Sequence, residues 1–126
     1  MKRMRVVFFG LLVLGLAVSP VAAQEVVDVT DSDAAVKEIT VTNEGFDFIP
    51  REIRVNLGDT VRITYENGGG FHDWVLDEFD AATSQFSGGR SETVEFVADE
   101  AGTFEFYCSV GNHRARGMWG NFVVEG

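Results

Sequence analysis

The stretch that most narrows what this chain can fold into lies near its end. A strand pattern runs into Cys108, another runs out of Trp119, and between them lies Ser109-Val110-Gly111-Asn112-His113-Arg114-Ala115-Arg116-Gly117-Met118. From Cys108 to Met118 the chain carries its only cysteine, one of two histidines and a methionine, spaced Cys-x4-His-x4-Met. A loop closed by two strands brings its side chains to one end of a sheet. A thiolate, an imidazole and a thioether are thereby directed towards one point. The second histidine, His72, follows the glycine run Gly68-Gly69-Gly70 far upstream.

The rest of the chain reads as strands. Ile39, Val41, Phe46 and Phe48 alternate with polar residues, and after Pro50 the alternation resumes at Ile53 and Val55. Asn56-Leu57-Gly58-Asp59 signals a turn, and Val61, Ile63 and Tyr65 face one way while Arg62, Thr64 and Glu66 face the other. Phe71 to Leu76 predicts one further strand. Asp77 to Arg90 loses periodicity and predicts a loop with a short helical turn at Asp80-Ala81-Ala82. Thr93 to Val97, Thr103 to Tyr107 and Phe122 to Val124 complete the set. Seven or eight short strands without a long helix predict an all-β fold, a β-sandwich or barrel.

The first residues predict something else. A basic start, Met1-Lys2-Arg3-Met4-Arg5, precedes an uncharged apolar run from Val6 to Val18 and a small-residue site at Pro20-Val21-Ala22-Ala23. That is the pattern of a secretory signal peptide over residues 1–23, and the run is short for a membrane-spanning helix. Residues 24–36 read as an acidic leader or linker that can add an edge strand, and 37–126 as the folded domain. The expected address is outside the cytoplasm, most simply a bacterial periplasm, with no membrane span after cleavage. Removal of Lys2, Arg3 and Arg5 leaves seven basic residues against twenty acidic ones, a net charge near −13. Such a chain does not bind nucleic acid, whose phosphates need Lys and Arg.

One cysteine excludes an internal disulfide. Exported proteins that keep cysteine usually pair it, so Cys108 calls for another role: a reactive thiol, an intermolecular bridge or a metal ligand. A buried cysteine is often only a small apolar residue, Met118 beside Trp119 suits a core, and His72 between Phe71 and Trp74 suits an interior histidine. Taken together, though, His72, Cys108, His113 and Met118 make the donor set of a blue-copper electron-transfer site, one thiolate and two imidazoles with a weak thioether. One copper ion, cycling between Cu(I) and Cu(II), is therefore the expected cofactor.

These segments resemble the cupredoxins, the family of plastocyanin, azurin, auracyanin and rusticyanin. The resemblance runs from about Ile39 to Val124. It rests on Phe48-x-Pro50 with Ile53-x-Val55, on Gly58-Asp59-Thr60-Val61, on Phe71-His72-Asp73, on Gly102-Thr103-Phe104-x-Phe106-Tyr107-Cys108, and on the Cys-x4-His-x4-Met loop closing in Gly117-Met118-Trp119-Gly120. The ligand spacing is most similar to the rusticyanin and auracyanin type. The resemblance implies a Greek-key sandwich, one-electron transfer, His72, Cys108 and His113 as equatorial ligands and Met118 as the axial one. The family often has asparagine after the first histidine, and here Asp73 stands there.

An electron carrier implies redox partner proteins, a cytochrome, oxidase or reductase, and a monomer is the expected state. Gly111, Gly117, Met118 and Trp119 around His113 predict a docking patch, with Arg114 and Arg116 orienting the partner. Two histidines are too few for a second, type 2 copper, and one cysteine is too few for a dinuclear centre, so the chain does not read as an enzyme. A hydrolase built on Cys108 and His113 would leave His72 and Met118 without a role. A copper carrier or buffer uses the same ligands and stays open. Zinc is disfavoured by the thioether.

Overall fold

A computed structural model describes residues 25–126, so the expected signal peptide lies outside the described residues. The strands in chain order are β1 (Val26–Asp28), β2 (Val36–Glu44), β3 (Asp47–Ile49), β4 (Glu52–Asn56), β5 (Thr60–Glu66), β6 (Phe71–His72), β7 (Val75–Leu76), β8 (Ala81–Ala82), β9 (Phe86–Ser87), β10 (Ser91–Val97), β11 (Gly102–Tyr107) and β12 (Trp119–Glu125). One sheet has the order β1-β4-β12-β11-β7-β8, a second has β10-β5-β2-β3, and β6 pairs with β9. The two large sheets form the expected all-β sandwich. Among the described residues no helix is long and apolar enough to cross a membrane.

Period-two patterning builds the core. Ile39 and Val41 of β2, Val61, Ile63 and Tyr65 of β5, Ile53 and Val55 of β4, and Phe122 and Val124 of β12 are buried while their neighbours alternate outward. Phe48, Trp74 and Phe106 fill the middle, with Phe106 5.6 Å from Phe48 and 5.5 Å from Trp74 between ring centroids. Each such burial contributes about 1.5–3 kcal/mol. Gly120 in β12 is required by closeness: a Cβ there would stand 2.3 Å from Phe106 Cζ and 2.5 Å from the Arg51 carbonyl oxygen. The acidic segment before β2 supplies β1, which runs parallel to β4 at the sheet edge.

Three local expectations are corrected. Phe71 to Leu76 is not one strand: β6 pairs with β9, whereas β7 joins β8 and β11. Asp73 and Trp74 interrupt it because the Asp73 carboxylate turns to Ser109 and the Trp74 N–H donates to Thr83 Oγ1 at 3.0 Å. The helical turn occupies Asp77–Phe79 rather than 80–82. Asp80 ends it in the left-handed region (φ 49°), a conformation Asp tolerates better than most residues, and Ala81–Ala82 return as an edge strand. Phe46 is not a strand residue either. Gly45 and Phe46 form the two-residue tip of the β2–β3 hairpin, and Gly45, at φ 56°, takes the position where such turns favour glycine.

Candidate metal centre

His72 ends β6 and Cys108 follows β11 directly. His113 sits in a run of tight turns between Cys108 and β12: its N–H donates to the Val110 carbonyl, and its own carbonyl accepts from Arg116 and Met118. The Cys108 N–H donates to the Met118 carbonyl at 3.0 Å, which closes the loop at its neck. The peptide groups of Cys108, His113 and Met118 are thus bonded in one short circuit.

The side chains converge. His72 Nδ1 lies 3.1 Å from His113 Nδ1, and Cys108 Sγ lies 3.8 Å from the first and 3.6 Å from the second. Donors held at about 2.0 Å (N) and 2.3 Å (S) around one ion in a plane stand about 3.5 Å apart for N and N and about 3.7 Å for N and S. The trio therefore fits a single metal ion before any rearrangement. His72, Cys108 and Met118 are buried, and His113 is half-buried. Burial first, and then the neighbouring His113, lower the His72 pKa, which keeps its ring neutral and fit to bind a cation. Burial likewise raises the Cys108 thiol, so in the free protein the sulfur keeps its proton.

Asp73, beside His72, spans the two donor segments. Its Oδ1 accepts from the Ser109 N–H at 2.6 Å, and its Oδ2 accepts from the Ser109 hydroxyl. The carboxyl group is thus turned to the residue after Cys108, and both of its buried oxygens are hydrogen-bonded rather than bare.

Two asparagines missed by sequence reasoning hold the glycine run that leads to His72. Asn43 is an inward-facing position of β2 and is 4% exposed. Its Oδ1 accepts from the Tyr65 hydroxyl at 2.7 Å and the Gly68 N–H at 3.0 Å, and its Nδ2 donates to the Gly45 and Gly69 carbonyls. Asn67 donates to the Gly70 and Phe86 carbonyls and accepts from the Gly69 N–H. A signal did exist: Asn43 stands in register with Ile39 and Val41, where an apolar residue is expected.

The expected docking patch is also revised. Met118 is fully buried and offers no surface. The open hollow beside His113 has a volume of about 440 Å³ and is lined by Gly45, Phe46, Gly70, Phe71 and Val110. Arg114 is engaged within the molecule, 2.6 Å from Glu105 and stacked 3.9 Å over the Tyr107 ring. Arg116 lies 4.8 Å over the Phe46 ring.

Residues 35–125 match the model of the copper binding proteins, plastocyanin/azurin family. The chain belongs to this family. A halocyanin of Natronomonas pharaonis is 33% identical over 105 residues, 78% of this chain and 62% of that protein. A plastocyanin of Vicia faba is 35% identical over 92 residues, 64% of this chain and 89% of that protein. The solved auracyanin of Roseiflexus castenholzii superposes with a TM-score of 0.65 at 26% identity, over 74% of this chain and all of that one. The chain spans less than two thirds of the first curated relatives it matches, and only 22% of the copper-containing nitrite reductases of Neisseria. The family binds copper, and the donor set converging here is the one a type 1 copper requires.

Proposed function

We propose that this protein is an exported type 1 copper protein that carries single electrons between redox partner proteins, with His72, Cys108 and His113 as equatorial ligands and Met118 as the axial ligand. The observation that carries the reading is the preformed trio, two Nδ1 atoms and one Sγ within 3.1–3.8 Å at a buried end of a rigid sandwich. Bound copper supplies a one-electron Cu(I)/Cu(II) couple. The chain supplies a fixed geometry. His72 is held by its strand and the asparagine-tied glycine run, and Cys108 and Met118 by the neck of the loop. Asp73 and Ser109 lock the two segments together. Donors that cannot move need little reorganisation when charge changes, which favours fast transfer. The Cys108 proton must leave on loading, because only the thiolate is a good ligand.

Export to a periplasm is supported by the basic start and apolar run of residues 1–18 and the small residues before Gln24. The half-buried His113, bordering an open hollow, is the natural edge for electron exit and partner contact. That same exposure favours a second reading, a copper carrier that hands its ion on. Visible absorption after adding Cu(II) tests the main reading. An intense thiolate-to-copper band, bleached by ascorbate and absent in Cys108→Ser, is expected. A colourless protein overturns it. Retention of copper against chelators in both oxidation states separates the electron carrier from the copper carrier.

A further inference from the structure

Of the donors, His113 is the one whose ring is not set by a strand. His72 ends β6 and lies under the glycine run, and Cys108 continues β11 and is fully buried. His113 stands among turns, and its ring borders the hollow open to solvent. Besides His72, the ring that meets it comes from the other sheet. The β2–β3 hairpin tip brings the Phe46 ring to 4.8 Å from His113 at 64°, an edge-on contact, and to 6.1 Å from His72. The Arg116 guanidinium stacks over the Phe46 ring at 4.8 Å. Among the described residues Arg116 forms no ion pair, so its charge rests on the aromatic face. The tip is itself anchored, because Asn43 binds both the Gly45 carbonyl and the Gly69 carbonyl.

Resting on the copper reading above, we infer that Phe46, backed by Arg116, is a positioning residue that clamps the His113 ring and so controls how fast the site releases its metal. Arg116 and His113 thus both meet the Phe46 ring, each at 4.8 Å. For the ion to leave, or for a competing ligand to enter from the solvent side, His113 must swing towards the hollow, and Phe46 occupies the near wall of that path. An edge-on aromatic contact opposes the swing by its quadrupole geometry as well as by bulk. The cation over the Phe46 ring holds that ring in turn. The hairpin tip therefore acts on the retention of the ion without touching it.

The test uses the copper-loaded full protein. Decay of the thiolate-to-copper band is followed after adding excess EDTA, and loss of Cu(I) to a Cu(I)-selective chelator is followed under ascorbate. Phe46→Leu should speed release about tenfold, and Arg116→Gln about threefold. Phe46→Tyr should restore release to within about twofold of wild type, since it keeps the aromatic edge. Unfolding of the metal-free variants gives the structural control. Equal release rates in wild type and Phe46→Leu, with the band intact, would overturn the clamp while leaving the copper site standing. Should Phe46→Leu not fold, Arg116→Gln decides alone, because Arg116 is exposed. A wild-type protein that never develops the band would remove both the clamp and the reading beneath it.

Discussion

Replacing Asn43 by alanine should loosen two distant segments at once. The side chain makes four hydrogen bonds, to Tyr65, Gly68, Gly45 and Gly69. The three glycines are exposed, so water can replace the partner each loses, at about 0.5–1 kcal/mol apiece. The Tyr65 hydroxyl cannot be rescued in this way, because Tyr65 is fully buried. Leaving it without a partner costs about 1–3 kcal/mol. The total is about 2.5–6 kcal/mol, a large share of the stability of a domain this size. Tyr65→Phe removes the orphan hydroxyl and should cost only about 1 kcal/mol on its own. In the double variant the orphan penalty vanishes, so the two losses should fall short of additivity by about 1–3 kcal/mol. Urea unfolding of the four metal-free proteins measures the cycle. Strict additivity, or a loss below about 1 kcal/mol for Asn43→Ala, would refute the argument that this asparagine is the shared anchor of the hairpin tip and the glycine run.

Tyr65 also sets an alkaline limit. Burial raises its pKa above the ordinary 10, so the unfolded chain loses the phenol proton first and stability falls as pH rises beyond about 10. Tyr65→Phe should flatten that slope in unfolding curves taken between pH 9 and 11. Gly120→Ala forces a Cβ to within 2.5 Å of both Phe106 and the Arg51 carbonyl, and should cost about 1–3 kcal/mol or more by urea unfolding. A loss under about 0.5 kcal/mol would show that β12 and Phe106 can shift apart. Asp73→Asn removes a negative charge next to His72 and should raise the reduction potential of the copper-loaded protein. The shift should be on the order of tens of millivolts, reduced by the Ser109 hydrogen bonds. Voltammetry showing no shift would mean that those bonds already neutralise the carboxylate as the metal senses it.

The sandwich was legible because two-sided strands write their burial into the sequence. Val61, Ile63 and Tyr65 are buried where alternation put them. Legibility failed where a strand changes partners. Nothing in Phe71-His72-Asp73-Trp74-Val75-Leu76 shows that its first two residues pair with β9 and its last two with β8 and β11, because the break is made by Ser109 and Thr83, distant in the chain. The Ala81–Ala82 edge strand has the same cause: its neighbours, not its own helix-prone alanines, decide it.

At the site, the convergence of His72, Cys108 and His113 was legible because so few residues in this chain can serve as soft donors. Their supports were not. Asn43, Asn67 and Phe46 carry no ligand chemistry: the asparagines act through hydrogen bonds to the glycine run, and Phe46 through a contact across the sandwich with His113. Asn43 and Phe46 sit at opposite positions in the pattern: a polar residue on the inward face, and an aromatic at a hairpin tip where polar residues are usual. Both oddities lie within four residues of each other and serve one end of the molecule. Arg114 and Arg116 show the converse. Their charge invited a reading in terms of a partner, yet Tyr107 with Glu105 takes up the first and Phe46 the second. In an acidic chain, arginines beside the loop can serve the loop itself before any partner arrives, and the residues that break the local pattern are the ones that hold the donors in place.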